Sequence, residues 1–250
     1  MKLKKITVLI PCYNEEKGIG KVIDSIPVAK LRRQGYNTDI IVIDNNCTDK
    51  TNAIAQSKGA RVICEEKAGK GHAIRTGMNA VKPDTDYVVM MDGDNTYKGK
   101  EIPRLVEPLA SNFCDVVVGS RLGGKIKHGS LRFTNRVANW AFTFFVRQIY
   151  RANVTDVLSG FFAWKHKALR DLLPHLESRG FAIEMEMITK MVKLKQEIYS
   201  VPITYEQREG ESKIAAVSDG LKIFSTLIQN LSWSPEKRSA QTKLNVKESY

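Results

Sequence analysis

The stretch Tyr87-Val-Val-Met-Met-Asp-Gly-Asp-Asn-Thr-Tyr97 decides the reading of this chain. Its apolar half reads as a buried strand, and the strand ends in two carboxylates, Asp92 and Asp94, at positions i and i+2. In an open α/β sheet, ligands bind outside the carboxyl ends of the strands. Two aspartates there resist joint ionisation unless a cation sits between or beside them. Hard oxygen ligands suit Mg2+ or Mn2+, held by a carboxylate or two together with substrate phosphates. Taken alone, the motif also reads as a solvated Asp-Gly-Asp turn closing a strand.

On either side of this stretch, apolar runs alternate with helical periodicity through residues 1–120, the pattern of βαβ units and a mostly parallel sheet. Strands are expected at Thr7–Ile10, Ile40–Ile43, Arg61–Cys64, Tyr87–Met91 and Val116–Val118. Helices are expected at Glu15–Ile26, Asp49–Lys58, Gly71–Val81 and Ile102–Ala110. Beyond Arg121 the pattern predicts helices near 166–178 and 183–194, a strand at Ile198–Tyr205 and a helix over Leu221–Leu231. Residues 235–250 read as a polar, disordered tail. No repeat and no linker divides the chain, so residues 1–234 are expected to form a single α/β domain, its central sheet flanked by helices.

The composition is that of a soluble globular protein, 42% hydrophobic and 26% charged over 250 residues. Its 39 Lys and Arg against 27 Asp and Glu leave a net charge of +12, which fits a polyanionic partner without choosing among nucleic acid, anionic lipid and phosphorylated substrate. Cys12, Cys47, Cys64 and Cys114 are far apart and read as reduced core residues of a cytosolic protein. Met-Lys-Leu-Lys-Lys runs straight into a strand-like ITVLI, which reads as too short and too early for a signal peptide. No apolar run reaches the roughly 18 residues needed to span a bilayer. The best candidate, Val137–Val146, contains Asn139, so any membrane contact is expected to be peripheral.

Polar clusters follow the early strands. The first is Pro11-Cys-Tyr-Asn-Glu-Glu16, where Tyr13 offers a face for stacking a base; the second is Asp44-Asn-Asn-Cys-Thr-Asp49. Turn and cap chemistry explains each alone. Three clusters in register at one end of a sheet are harder to explain that way. The glycines of Ala68–Gly77 fit neither a Walker nor a Rossmann loop, and Lys70 either faces a nucleotide or simply begins a helix. Leu131–Ile149 interleaves Phe133, Trp140, Phe142, Phe144 and Phe145 with Arg132, Arg136 and Arg147. That suits a helix lying in a bilayer interface, or a core helix with snorkelling arginines. Arg132 and Arg136 share one helix face. Glu184 and Glu186 read as structurally paired carboxylates in preference to general bases.

The ordered set PCYNEE, IDNNCTD, GKGHAIRTG, DGDNTY and GSR resembles glycosyltransferase family 2, with its GT-A nucleotide-diphospho-sugar transferase fold. VTDVLSGFFAW, FAIEMEM and EGESK resemble its dolichol-phosphate mannose synthase branch, and the likeness extends over about residues 6–230. The resemblance implies that Pro11, Tyr13, Glu15, Val42, Asp44 and Gly93 bind the nucleotide. It implies that Asp92 and Asp94 meet the donor diphosphate and a Mg2+ or Mn2+ ion, with Thr96 where the family has a metal-proximal Gln. Arg121 would stand near the donor and acceptor phosphates, Lys213 over the diphosphate with Arg208 nearby, and Arg132 and Arg136 at the acceptor phosphate. Asn45 stands where the family has a second acid.

The implied reaction is inverting, metal-dependent transfer of a hexose or N-acetylhexosamine, as in protein glycosylation or cell-surface glycan synthesis. The donor would be GDP-mannose, UDP-glucose or UDP-N-acetylglucosamine, and the acceptor dolichyl or polyprenyl phosphate. The enzyme would be cytoplasmic, peripheral on the cytosolic face of a membrane, acting alone or with a separate membrane-anchored partner. A transferase acting on a saccharide hydroxyl would instead need a base such as Glu184 or Asp156. A nucleic-acid-binding protein is disfavoured, because acids stand at the ligand end of the sheet.

Overall fold

A computed structural model describes residues 3–210, 213 and 215–235. The tail beyond Pro235 lies outside the described residues. The strands are β1 (Lys4–Cys12), β2 (Tyr36–Asp44), β3 (Arg61–Cys64), β4 (Tyr87–Met90), β5 (Val116–Ile126), β6 (Phe162–Lys165) and β7 (Ile198–Tyr205). They form one sheet in the order β3-β2-β1-β4-β6-β5-β7. Every pairing is parallel except those of β6, which runs antiparallel between β4 and β5. The helices are α1 (Ile19–Ser25), α2 (Val28–Arg33), α3 (Thr51–Ser57), α4 (Lys70–Asn79), α5 (Ile102–Ala110), α6 (Phe133–Tyr150), α7 (His166–Leu172), α8 (Ile183–Lys193) and α9 (Ala216–Ser232).

The strands are apolar on both sides because helices cover both faces. Along β1, Leu9 packs into one core, with Ile74 and Met78 of α4 and Met185 and Ile188 of α8. Its neighbours Val8 and Ile10 enter the other, with Ile19 and Val22 of α1 and Leu105 of α5. This alternation gives each strand two buried sides. The connections reverse direction between β1 and β4, and the ends of β1, β2 and β4 open there into one crevice, as at the switch point of doubly wound sheets.

β3, β7 and α5 occupy the expected residues. β5 continues past Val118 to Ile126, so Arg121 lies within a strand and not in a loop. α6 spans the whole basic–aromatic segment, and residues 173–175 form a 3-10 turn where a longer helix was expected. β6 and α2 were not anticipated. Of the cysteines, Cys12 and Cys114 are buried as expected, Cys47 is half-buried and Cys64 is exposed.

Candidate functional site

At the carboxyl ends of β1, β2 and β4 a cleft of about 420 Å³ is lined by Pro11, Tyr13, Glu15, Lys70, Asp92 and Arg208, with Lys213 and Phe181 closing its sides. Asp92 follows β4 directly, and its carboxylate is packed against Gly160. A Cβ built on Gly160 would meet Asp92 Oδ2 at 2.5 Å. Gly160 is itself held by its N–H, which donates to the hydroxyl of buried Tyr97 at 2.7 Å. The last residue of the opening motif therefore fixes the backing of its first carboxylate.

Asp94 is buried and oriented by its own turn. The Thr96 N–H and hydroxyl both donate to Asp94 Oδ1, at 3.1 and 2.6 Å. Thr96 has no exposed surface, so it orients the aspartate from beneath and does not face the cleft; of the two readings of this position, as a metal ligand or as leaving the place to water, the burial favours the second. Asp94 Oδ2 meets Arg208 Nη2 at 2.6 Å. The Glu209 N–H donates to Asp94 O, and the Glu206 N–H to Thr96 O, which fastens the segment after β7 along the motif.

The other cleft cations are also paired. Lys70 Nζ bridges Asp92 Oδ1 at 2.8 Å and Glu184 Oε1 at 2.7 Å. Burial works against the Lys70 charge, but Asp92 and Glu184 outweigh it and hold the ammonium above the usual lysine range. Glu184 is raised by burial, with Lys70 opposing. Lys213 Nζ reaches Glu15 Oε1 at 2.6 Å and donates to the Tyr13 and Asn14 carbonyls. Burial raises the Glu15 carboxyl, and Lys213 partly counters it.

α4 can begin here only because of its glycines. Gly69 has φ +131°, and a Cβ on Gly71 would sit 2.0 Å from the Ser178 carbonyl oxygen. The Gly71 N–H donates to Arg179 O at 2.9 Å, so the 177–181 loop locks the start of α4 and aims Lys70 at Asp92. The loop is held in turn by Glu186, which accepts from the Glu177 and Ser178 N–H groups and pairs with Lys190 at 2.6 Å. Glu186 is thus the structural carboxylate expected, whereas Glu184 acts at the cleft through Lys70.

After β2, Asp44 accepts from Cys47 N–H at 2.8 Å, from Asn52 Nδ2 at 2.5 Å and from the Cys64 thiol. Burial raises its carboxyl, yet these donors more than compensate and lower it. Asn45 donates to the Glu65 and Lys67 carbonyls and accepts from the Gly69 N–H. An acid could not make the first two bonds, which accounts for an amide where the family has a carboxylate. Val42 is fully buried in the core under β2, so its side chain does not reach a nucleotide, a correction to its assignment.

Arg121 is also placed otherwise than expected. Its backbone N–H, Nε and Nη2 all bind the buried Asp156, each at 2.8 Å, and its guanidinium lies over the Tyr205 ring. It stands beside the site, committed to Asp156, and does not line the cleft. Asn139 of α6 joins the same carboxylate at 2.7 Å. Arg132 and Arg136 are exposed at the start of α6, outside the cleft.

Lys70 and Glu184 are the residues whose part at the site sequence reasoning left unassigned. The signal was a lone lysine between two glycines, ambiguous until the 177–181 loop is seen to pack on both.

The carboxylate pair fits a divalent ion only in part. Hard oxygen donors are right for Mg2+ or Mn2+. Among the described residues, however, no group of three or more His, Cys, Asp or Glu side chains could hold a metal. The protein thus offers two carboxylates, and ligand oxygens would have to complete the shell.

A family model described as Glycosyl transferase family 2 matches residues 7–173. The glycosyltransferase AglJ of Haloferax volcanii is 32% identical over 228 residues, spanning 89% of this chain and 70% of the relative. The undecaprenyl-phosphate mannosyltransferase of Micrococcus luteus is 30% identical over 224 residues, spanning 84% and 88%. Among solved structures, glucosyl-3-phosphoglycerate synthase from Mycobacterium tuberculosis, in complex with Mn2+, UDP and phosphoglyceric acid, aligns with a TM-score of 0.71. That match spans 92% of this chain and 79% of the other at 24% identity, which speaks to the fold alone. The GT-A architecture expected from the motifs is borne out.

Proposed function

The chain belongs to glycosyl transferase family 2, and from that premise we propose that its cleft takes a hexose or N-acetylhexosamine from a nucleotide-sugar and delivers it to a polyprenyl phosphate at a membrane surface. The observation that carries this reading is the double commitment of α6. Its inner face reaches the site, where Asn139 binds the Asp156 that holds Arg121. Its outer face exposes Phe133, Val137, Trp140, Phe144 and Phe145. α9 packs against α6 and exposes Val217, Leu221, Phe224 and Ile228. Phe133 and Val217 are each 79% exposed, far more than a core helix would leave.

Two such faces, with Arg132, Arg136 and Arg147 on the α6 segment and Lys222 on α9, suit an interface with anionic lipid headgroups. Arg132 and Arg136 at the start of α6 would meet the acceptor phosphate. No described helix is long and apolar enough to cross a membrane. The relative from Micrococcus luteus carries a polyprenyl phosphate in its name, which supports the same acceptor class.

A lipid phosphate is already an anionic nucleophile and needs positioning cations, not a base. The two carboxylates considered as bases for a hydroxyl acceptor, Asp156 and Glu184, are engaged. Asp156 is buried under Arg121, and Glu184 is bound to Lys70. Asp92 and Asp94 would hold Mg2+ or Mn2+, which when bound supplies positive charge to the donor diphosphate. Lys70 stands fixed beside that position. Arg208 and Lys213 now rest on Asp94 and Glu15, and each would turn to the diphosphate as charge accumulates on the leaving group. Tyr13 is half exposed at the cleft mouth and would stack the base, with Asp44 at the end of β2 accepting from it.

The test is transfer of labelled sugar from GDP-mannose, UDP-glucose and UDP-N-acetylglucosamine, with Mn2+, to a short polyprenyl phosphate and to the matching alcohol. Label should pass to the phosphate from one nucleotide class, and Asp94→Asn should lower the rate by at least about 10²-fold without unfolding the protein. Transfer to the alcohol or to a free saccharide, with none to the phosphate, would overturn the acceptor assignment.

A further inference from the structure

Asp94, Glu15 and Asp92 each already carry a protein cation. Arg208 lies on Asp94, Lys213 on Glu15, and Lys70 on Asp92. These cations differ in how they are held. Arg208 and Lys213 belong to the segment that follows β7. Lys70 opens α4, whose first turn is locked by the Gly71 N–H on Arg179 O and by the approach of Gly69 and Gly71 to the carbonyls of Arg179 and Ser178. Its side chain is 17% exposed and bound on its far side to Glu184, itself 6% exposed. Were Lys70 to leave, Glu184 would be left as a buried charge without this partner, which strongly disfavours the movement.

We propose that Lys70, clamped by Glu184, is a resident counter-cation of Asp92 that keeps the carboxylate pair closed to a bare divalent ion, so that the metal enters together with a nucleotide diphosphate. This rests on the donor-site reading above. A free Mn2+ approaching Asp92 Oδ1 meets a fixed ammonium 2.8 Å from that oxygen and finds Asp94 Oδ2 covered by Arg208. The protein alone offers it no third carboxylate, histidine or thiolate among the described residues. A diphosphate reverses this balance. Its oxygens would complete the metal's shell, and its negative charge gives Lys70, Arg208 and Lys213 a partner other than Asp92, Asp94 and Glu15. Metal and diphosphate then raise each other's affinity by one common factor, because binding linkage is reciprocal.

The experiment is calorimetric titration of the full chain with Mn2+ alone, with UDP or GDP alone, and with Mn2+ at saturating UDP or GDP. Wild type should bind Mn2+ at least tenfold more tightly beside the preferred nucleotide than alone. Lys70→Met should tighten bare Mn2+ at least tenfold and weaken the nucleotide in the absence of metal, so that the coupling collapses. Glu184→Gln should move bare Mn2+ the other way, since Lys70 keeps its charge and loses one partner. Opposite signs from neighbouring substitutions are not a pattern that a purely structural pair produces.

If Lys70→Met does not fold by thermal unfolding, the double variant Lys70→Met/Glu184→Met removes the buried charges together, and the same tightening of bare Mn2+ is expected of it. The proposal is overturned if wild type takes bare Mn2+ as tightly as it does with nucleotide, or if the folded Lys70 variants gain no Mn2+ affinity. If neither UDP nor GDP binds under any condition, the donor-site reading fails, while the comparison of bare Mn2+ between wild type and Lys70→Met still decides the role of Lys70.

Discussion

Arg121 and Asp156 share a closed, buried pairing. Nε and Nη2 of the arginine each lie 2.8 Å from a different carboxylate oxygen, and the Arg121 backbone N–H adds a third bond at 2.8 Å. The pair links β5, which carries Arg121, to the segment before β6 and, through Asn139, to α6. Its first role is to fasten the apolar helix to the site.

That pairing predicts a pH dependence. Burial pushes the Asp156 carboxyl up, but Arg121 and Asn139 outweigh it and hold it below the usual carboxylate range. A depressed acid stabilises the fold above its unfolded value, about 3.9, and that contribution is lost as pH falls through the lower folded value. Asp156→Asn should therefore be less stable than wild type at pH 7 by about 3 kcal/mol. The gap should close below about pH 4. Urea unfolding from pH 3 to 7 measures it; a gap that is constant with pH would contradict the assignment.

Gly160→Ala should damage turnover more than stability. The added methyl would meet Asp92 Oδ2 at 2.5 Å and displace that carboxylate. A shift near 1 Å at a reacting centre is enough for about a 10²-fold loss in kcat. Steady-state kinetics and a thermal melt on the same preparation test this. A variant with normal kcat would mean that Asp92 does not need its present position.

Asn45→Asp keeps the shape of the side chain and removes two donors. The Glu65 and Lys67 carbonyls would then face an oxygen, at a cost of about 1–3 kcal/mol. Because the same loop leads into Gly69 and Lys70, the donor KM should rise along with the loss of stability. Denaturation midpoints and donor titrations read the two effects separately.

Trp140→Asp combined with Phe224→Asp should abolish sedimentation with anionic vesicles, leaving stabilisation by nucleotide and Mn2+ unchanged. Wild-type binding should weaken as salt rises from about 0.05 to 0.5 M, since exposed charges are screened. Undiminished vesicle binding by the double variant would move the interface away from α6 and α9.

Much of this molecule was legible in its sequence, and the exceptions share a cause. β7 and α5 were found to the residue because periodicity and flanking turns are local signals. The motif pair Asp92 and Asp94 and the clusters after β1 and β2 were likewise readable, since strand ends in a parallel sheet converge. β6 was not: Phe162–Lys165 is too short to show a period, and it becomes a strand only through partners at Tyr87–Met90 and Val116–Val118. Val42 and Thr96 entered the site through the family resemblance alone, whereas one packs into the core and the other orients Asp94 from below. The Lys70–Glu184 contact joins residues more than a hundred positions apart, and nothing local to either announces it.

The place of β6 governs the order in which a nascent chain can be completed. Synthesis delivers β1 to β4 first, but β4 cannot pair with β5, because its neighbour in the sheet is a strand made much later. Until Phe162–Lys165 emerges, β4 is an open edge of apolar residues, the kind of surface that recruits strands from other chains. Glu15 and Asp94 likewise leave the ribosome well before Lys213 and Arg208 exist to neutralise them. A single antiparallel strand thus makes the yield of folded protein depend on how long a half-built sheet can be kept from its neighbours.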